Sequence, residues 1–284
     1  MKVEIGRVFS GMFAMVRDQF MPLAGLWGVF LLFQVLLIGL IFGGIGGTAL
    51  LTGNLNPEDA LDVLGLGAGI LLVMLVAYFV YLYLYGVQSA AMVQSASPRM
   101  RSGFGEALSG GFRCGFSMLG VFLLLFVGYI ILSFIVGLLE LIFGFLGSFG
   151  DFLVSLIAFA ALVYLACRLS VIVPVVAVDG ERNPISAIRR TWDITNGNLL
   201  PIFLIALIVV ALVIVMAIVF GVVFGGVFFA TAASGAPAFG TFFAMILTFA
   251  VFGGAFSIFG SALVAALHAE ISSSETEELG RTFE

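Results

Sequence analysis

The chain has 284 residues, of which 62% are hydrophobic and 10% carry charge, with a mean hydropathy of +1.27. A soluble domain of this length needs more polar surface than this composition supplies, so a water-soluble globular protein is excluded. The net charge of −5 does not fit a nucleic-acid-binding surface, and we expect no nucleic-acid partner. Lipid is therefore the expected solvent for most of the chain.

Six apolar stretches follow one another along the chain. The hydrocarbon core of a bilayer is about 30 Å thick, and a helix crosses it with roughly 20 residues. The stretches that reach this length are 22–51, 64–95, 115–139, 151–176, 199–230 and 238–268. A β-barrel would need alternating polarity, and runs such as 204–219 do not alternate. The sequence therefore predicts an all-α integral membrane protein, a single domain over 1–284 with six transmembrane helices.

The basic residues lie on one side of this predicted topology. They lie before the first span, in the loop between the second and third spans, in the loop between the fourth and fifth, and after the sixth. These residues are Lys2, Arg7, Arg17, Arg99, Arg101, Arg113, Arg182, Arg189, Arg190 and Arg281. The other loops carry no basic residue. Their acidic residues include Glu58, Asp59, Asp62, Glu140 and Asp151. Because basic residues are retained on the cytoplasmic side, both termini are expected to be cytoplasmic.

An internal repeat accompanies this pattern. Aligning Phe13, Phe112 and Trp192 also brings Phe9, Leu108 and Ile188 into register. Each copy then consists of an amphipathic helix at the membrane surface, near 4–17, 102–113 and 184–195, followed by two spans. Because two spans return the chain to its starting side, the repeats, at about 1–95, 96–176 and 177–270, are expected to be parallel. Residues 271–284 are predicted to be a disordered acidic tail.

The third copy has the clearest helix signals. Asn183 is suited to cap a helix that starts at Pro184, and Asn196-Gly197 provides a stop. Its arginines would face anionic lipid, and Trp192 suits the depth of the interface. The alternative is a cytoplasmic connector that packs on the bundle, with arginines that only set the topology.

Arg168 is the basic residue placed deepest in a predicted span. It lies about 25 Å along a helix from Asp151 and so needs to reach the headgroups or find a partner. The partners considered are an acidic residue (Asp179, Glu181 or Asp193) and a lipid phosphate. Together with the basic and aromatic side chains of the third copy, this predicts a lipid-binding site of Arg168, Arg189, Arg190 and Trp192.

Catalytic and metal-binding patterns are not found in the sequence, and neither enzyme activity nor a cofactor is expected. Cys114 and Cys167 map near the cytoplasmic face and are expected to stay reduced, while the lone His268 is predicted to be interfacial. Small-residue stripes are predicted to pack helices together, either within one chain or between two chains. These stripes are Gly39, Gly43 and Gly47 in the first span and Gly221 and Gly225 in the fifth.

Residues 168–203 resemble the signature region of a six-span bacterial membrane family. This family comprises the membrane domain fused to glycerophosphodiester phosphodiesterases and its stand-alone inner-membrane relatives. The matching positions are Arg168, Pro174, Asp179, Glu181, Arg190, Trp192 and Gly197. The resemblance implies a domain of the bacterial cytoplasmic membrane with a lipid-linked role, and it carries over no catalytic residue because no phosphodiesterase barrel is present.

Two functions are compatible with these patterns. The first is a non-enzymatic scaffold or accessory subunit that associates with phospholipid and with another membrane protein or a second copy of itself. The second is a transporter or channel for a small amphipathic solute. The first is favoured because no span carries a charged residue at its middle, where a transporter would hold a coupling ion.

Overall fold

The computed structural model describes the backbone of residues 3–51, 60–233 and 238–283. Side-chain surroundings are described for these residues except 41–51, 60–68, 70, 231–233, 238–243, 245 and 274–283. The described part is 90% helical and contains no strand. Its helices are α1 (Ile5–Leu51), α2 (Ala60–Ala96), α3 (Phe104–Phe143), α4 (Ser148–Leu169), α5 (Ile172–Ala177), α6 (Pro184–Ile194), α7 (Leu199–Ala233) and α8 (Ala238–Phe283). Six helical segments of this part are long and apolar enough to cross a membrane, which confirms the predicted fold class.

The fourth span is divided, although the sequence predicted one helix over 151–176. Helix α4 ends at Leu169 and the short α5 begins at Ile172, with Val171 between them at φ −107° and ψ 18°. Pro174 has no N–H to donate to the carbonyl of Ser170 four residues earlier, which accounts for a break at this point. After the break α5 packs against α2 and α3, and Val175 and Val176 are fully buried.

A separate surface helix is observed only in the third predicted repeat, as α6. In the first repeat the amphipathic segment is part of α1, with a non-helical residue at Gln19 three positions before Pro22. Pro22 cannot donate to the carbonyl of Asp18, so the helix is kinked there. The second repeat has Val121 in place of that proline, and α3 begins at Phe104 and extends through it. The three-repeat arrangement therefore stays a prediction.

The helices pack together at the end that carries the arginines. Residues 3–7, the loop 97–103, the segment 178–198 and residues 268–270 of α8 meet there, and we call this region the arginine-rich end. Side chains of α1, α2, α3 and α8 that are fully buried near it include Leu23, Met92, Met118 and Ala262. The amphipathic stripe of the first repeat also packs inward here, since Val8 and Met12 are buried.

The glycines that allow close packing are not those predicted. A Cβ at Gly111 of α3 would lie 2.6 Å from the backbone oxygen of Val87, so α2 and α3 can approach this closely only without that side chain. Among the described residues nothing lies within 4 Å of the Cβ position at Gly39, Gly221 or Gly225, so no close helix packing is observed at them there, and packing between chains stays a prediction. The surroundings of Gly43 and Gly47 lie outside the described residues.

The predicted disorder from residue 271 is also wrong at its start. Helix α8 continues to Phe283, and Ile271 and Ser272 are buried. Ile271 falls three and four residues after His268 and Leu267, on the same buried face of the helix. The acidic loop residues Glu58 and Asp59 lie outside the described part of the chain.

Candidate functional site

Local sequence signals define both ends of α6. The Asn183 side chain accepts a hydrogen bond from the backbone N–H of Ile185 at 3.0 Å, and Pro184 occupies the first turn. Gly197 follows the helix with φ +82°, a conformation that favours glycine, and α7 starts two residues later. The predicted cap, first turn and stop are confirmed.

Helix α6 has an inner and an outer face. Ala187 and Thr191 are fully buried against the bundle. Ile185, Arg189 and Trp192, spaced four and three residues apart, share the opposite face, where Ile185 is 68% and Trp192 36% exposed. The helix therefore packs on the protein, as the connector alternative required, and presents one basic and two apolar side chains outward, as the surface alternative required.

Arg168, at the end of α4, forms a cluster with Tyr164 and Trp192 that we call the arginine cluster. Its Nε donates a hydrogen bond to Tyr164 Oη at 3.1 Å, and its Nη1 donates to the backbone oxygen of Trp192 at 3.3 Å. The guanidinium carbon lies 4.9 Å from the centre of the Trp192 ring and 5.4 Å from that of Tyr164. The guanidinium thus joins α4 to α6.

The charge of Arg168 is accommodated by aromatic rings and a carbonyl. Only 9% of the residue is exposed, and among the described residues it forms no ion pair with an acidic side chain. The considered pairs with Asp179, Glu181 and Asp193 are therefore absent from the described contacts. Ring faces attract a cation, by about 2 kcal/mol or more where water is excluded. Arg168 is best described as a residue that positions Trp192 and α6.

The predicted lipid-binding residues occupy three different surroundings. Arg168 and Trp192 are in contact, as described above. Arg189 is exposed on the outer face of α6 and forms no hydrogen bond or ion pair with the described residues. Arg190 is half-buried, and its charge acts on Asp179. The structure therefore brings two of the four residues together and leaves Arg189 as the cation that faces outward.

An apolar groove lies beside the arginine cluster, between α4, α7 and α8. Its volume is about 880 Å³, and Phe159, Val163, Phe203 and Leu267 are among its walls. Tyr164 lines the groove and also contacts the Trp192 ring edge to face, at 5.7 Å between ring centres. The sequence did not reveal this groove, because its walls come from three helices far apart in the chain.

A second polar cluster lies at the same end. His268 Nε2 donates to Asp179 Oδ2 at 3.2 Å, and Arg99 Nη1 lies 3.6 Å from Asp179 Oδ1. Burial of Asp179 favours its neutral form, but the hydrogen bond and charge of His268 and the charges of Arg190 and Arg99 outweigh this effect, so the pKa of Asp179 lies below its ordinary value. His268 is 2% exposed, so its side chain is enclosed by the protein, and its predicted depth at the membrane interface stays a prediction.

Polar side chains also meet inside the apolar region, in a space between α1, α2 and α8 that we call the polar crevice. Gln34 Nε2 donates to Gln88 Oε1 at 3.2 Å, and Ser257 Oγ lies 3.2 Å from Met92 Sδ. Gln34 is a polar residue inside the predicted first span, 22–51. Gln88 was missed, although it precedes the end of α2 by eight residues, or about 12 Å.

Comparisons with profiles of known protein families, with characterised proteins and with solved structures found no match. Among the described residues, no group of three or more His, Cys, Asp or Glu side chains is placed to hold a metal ion. Cys114 and Cys167 are both buried and free. The geometry at the arginine-rich end is therefore the main basis for a functional proposal.

Proposed function

We propose that this protein is a non-enzymatic scaffold or accessory subunit of the bacterial cytoplasmic membrane, which associates with phospholipid and with another membrane protein or a second copy of itself. One observation carries the phospholipid part. Trp192 lies with Arg189 on the outward face of α6 and contacts Tyr164, and Tyr164 lines an apolar groove of about 880 Å³.

The two parts of this surface match the two parts of a phospholipid. Basic residues near an anionic leaflet attract it by about 1 kcal/mol each. The groove offers side-chain contacts to an acyl chain. Because bulk lipid is already apolar, the hydrophobic effect does not drive association there, and van der Waals packing of this kind contributes instead. The phosphate would lie at Arg189 and one chain between α4 and α7.

Each predicted residue has a distinct role in this proposal. Arg189 contacts the phosphate, since it is exposed. Trp192 marks the boundary between headgroup and chain, as tryptophan does at membrane interfaces. Arg168 positions Trp192 through its hydrogen bond to the backbone oxygen of that residue at 3.3 Å. Arg190 adds positive charge and also acts on Asp179.

The test is retention of anionic phospholipid, measured by native mass spectrometry of the full chain released from phosphatidylglycerol-containing nanodiscs. Arg189→Gln is expected to lower retention several-fold, because one phosphate contact is lost. Arg17→Gln is the matched control, since Arg17 has 85% of its side chain exposed and lies on α1. Equal retention by wild type and Arg189→Gln, or equal losses in both variants, would contradict the proposal.

Transport of a small amphipathic solute is the second candidate function. The polar crevice favours it, because polar side chains inside a span are expected along a solute pathway. Gly253 lines the crevice, and a leucine there would fill it. Solute flux into proteoliposomes that is lost in Gly253→Leu, with phospholipid retention unchanged, would support transport over the scaffold function.

A further inference from the structure

The polar crevice is elongated and reaches from the arginine-rich end into the apolar region. Its volume is about 370 Å³, which lies within the range of about 300–1,000 Å³ of small-molecule sites. Val173 of α5 and Val264 of α8 line one part of it, and Phe249 lines another. Residues 249 and 264 are about 22 Å apart along a helix, so the space is long enough for an extended chain.

Strong hydrogen-bond donors in the crevice have a weak acceptor as their partner. Gln88 Nε2 lies 3.9 Å and Ser257 Oγ 3.2 Å from the same atom, Met92 Sδ. A thioether sulfur accepts hydrogen bonds only weakly. Gln34 donates to Gln88, but its own Oε1 accepts no hydrogen bond from the described residues. A ligand oxygen and a ligand hydroxyl would satisfy these groups better than the protein does.

Interhelical hydrogen bonding by itself explains the Gln34–Gln88 contact, because polar pairs hold membrane helices together. It does not explain why two donors that line a space of about 370 Å³ share one sulfur atom. The indole of Trp27 forms one wall, and a Cβ at Gly254 would lie 3.2 Å from it, so α1 and α8 approach each other closely beside the crevice. The space therefore has the walls of a small-molecule site.

The lining residues limit the chemistry of a ligand. None of the described residues that line the crevice is charged, so a bound ion would have no counterion in an apolar environment. Trp27, Phe249 and Phe256 offer apolar surface for a hydrocarbon chain. The ligand should therefore be uncharged and should carry both a hydrogen-bond acceptor and a hydroxyl.

We propose that the polar crevice binds an uncharged monoacyl lipid, with its ester carbonyl and hydroxyl groups at Gln34, Gln88 and Ser257. Its chain extends along Phe256 towards one end of the crevice. Such binding requires neither phospholipid at α6 nor movement of a solute across the membrane.

The test uses monodecanoylglycerol as the probe and native mass spectrometry of the detergent-solubilised full chain as the measurement. Gly253 and Gly260 line the crevice and have nothing within 4 Å of the Cβ position, so leucine there fills the crevice without a clash at Cβ. Leucine also favours helix more than glycine does. Gly253→Leu and Gly260→Leu are each expected to lower probe retention about tenfold or more, equivalent to about 1.4 kcal/mol.

Gly221→Leu on α7 is the matched control, because that site has the same open surroundings and does not line the crevice. It should retain the probe as wild type does. Gln88→Met, which removes the amide and keeps the length of the side chain, should also lower retention. Absence of probe from the wild type, or equal retention by wild type and both crevice-filling variants, would overturn the proposal.

Decanoate at neutral pH tests the charge requirement separately. The anion has the same chain, but it should be retained about tenfold less than monodecanoylglycerol, because the crevice has no cation to pair with it. If decanoate is retained as well as monodecanoylglycerol, and Gly253→Leu reduces that retention, the ligand is not required to be uncharged and this part of the proposal is contradicted.

Discussion

The arginine-rich end and the opposite halves of the spans differ in how they are packed. Near the arginine-rich end, Met92, Val175 and Ala262 are fully buried. Farther along the helices, Phe134 is 68% and Phe229 72% exposed. In lipid, exposed apolar side chains carry no penalty, so hydrophobicity alone does not bring helices together. Close packing is found where small residues and polar contacts occur.

Polar contacts at the arginine-rich end connect several helices. Gln94 Nε2 of α2 donates to the backbone oxygen of Ala177 in α5 at 2.8 Å. The backbone N–H of Val3 donates to Asn198 Oδ1 at 3.3 Å. Each of these hydrogen bonds satisfies a group that an apolar environment would otherwise leave unpaired. This difference between the two regions leads to the following predictions.

Gly111→Leu should have the largest effect on stability. Its Cβ would lie 2.6 Å from the backbone oxygen of Val87, so α2 and α3 would have to separate, and overpacking of this kind costs about 3 kcal/mol. The free energy of unfolding in detergent micelles measures the loss. Gly221→Leu, in open surroundings, should change stability by less than about 0.5 kcal/mol or increase it slightly. Equal losses would show that the two regions do not differ.

Arg168→Gln should have the next largest effect, about 2 kcal/mol, because it removes the cation between two rings and a hydrogen bond to Trp192. Trp192→Leu and the double variant complete a thermodynamic cycle of unfolding free energies. The two changes should be non-additive by about 1 kcal/mol, as for residues in contact. Additive losses would mean that the observed contact contributes nothing to stability.

Asp179→Asn should cost about 1 kcal/mol at neutral pH, since its ion pair with Arg99 is partly exposed. The direction of its pH dependence follows from its lowered pKa. The carboxylate contributes stability above its unfolded-state pKa of about 3.9, and this contribution is lost as the pH falls through the lower folded-state pKa. Unfolding measured between pH 5 and pH 2.5 should show this loss in the wild type and a smaller one in Asp179→Asn. Parallel pH profiles would be inconsistent with the lowered pKa.

Arg189→Gln should have the smallest effect on stability. Its side chain is exposed and forms no hydrogen bond or ion pair with the described residues, so in phosphatidylcholine the free energy of unfolding should change by less than about 0.5 kcal/mol. A large loss would mean that Arg189 supports the fold, and its effect on lipid retention would then be indirect.

The spans and the boundaries of α6 could be predicted because their signals are local. Run length predicts a membrane helix, and Asn183 acts on a backbone N–H two residues away. The break at Val171 could also have been predicted, since Pro174 cannot donate to the carbonyl of Ser170, but the continuous apolar run favoured a single helix. The exposure of Arg189 could be predicted from the spacing of apolar and basic residues along α6.

Long-range contacts were not predictable from these patterns. Tyr164 and Arg168 are four residues apart on one helix, but Trp192 reaches them only because α6 packs against α4. An acidic partner for Arg168 was a reasonable expectation from charge, whereas the folded chain placed aromatic rings there. Gln88 was missed because its partner Gln34 lies 54 residues away.

The central claim is that phospholipid binds at the arginine-rich end with its chain in the groove between α4 and α7. A phosphatidylglycerol with a diazirine in one acyl chain tests this by photo-crosslinking in nanodiscs and peptide mapping by mass spectrometry. We predict adducts concentrated in 159–170 and 199–210, which Arg189→Gln reduces several-fold while Arg17→Gln does not. Adducts spread evenly over the exposed apolar surface, and unchanged by Arg189→Gln, would contradict the claim.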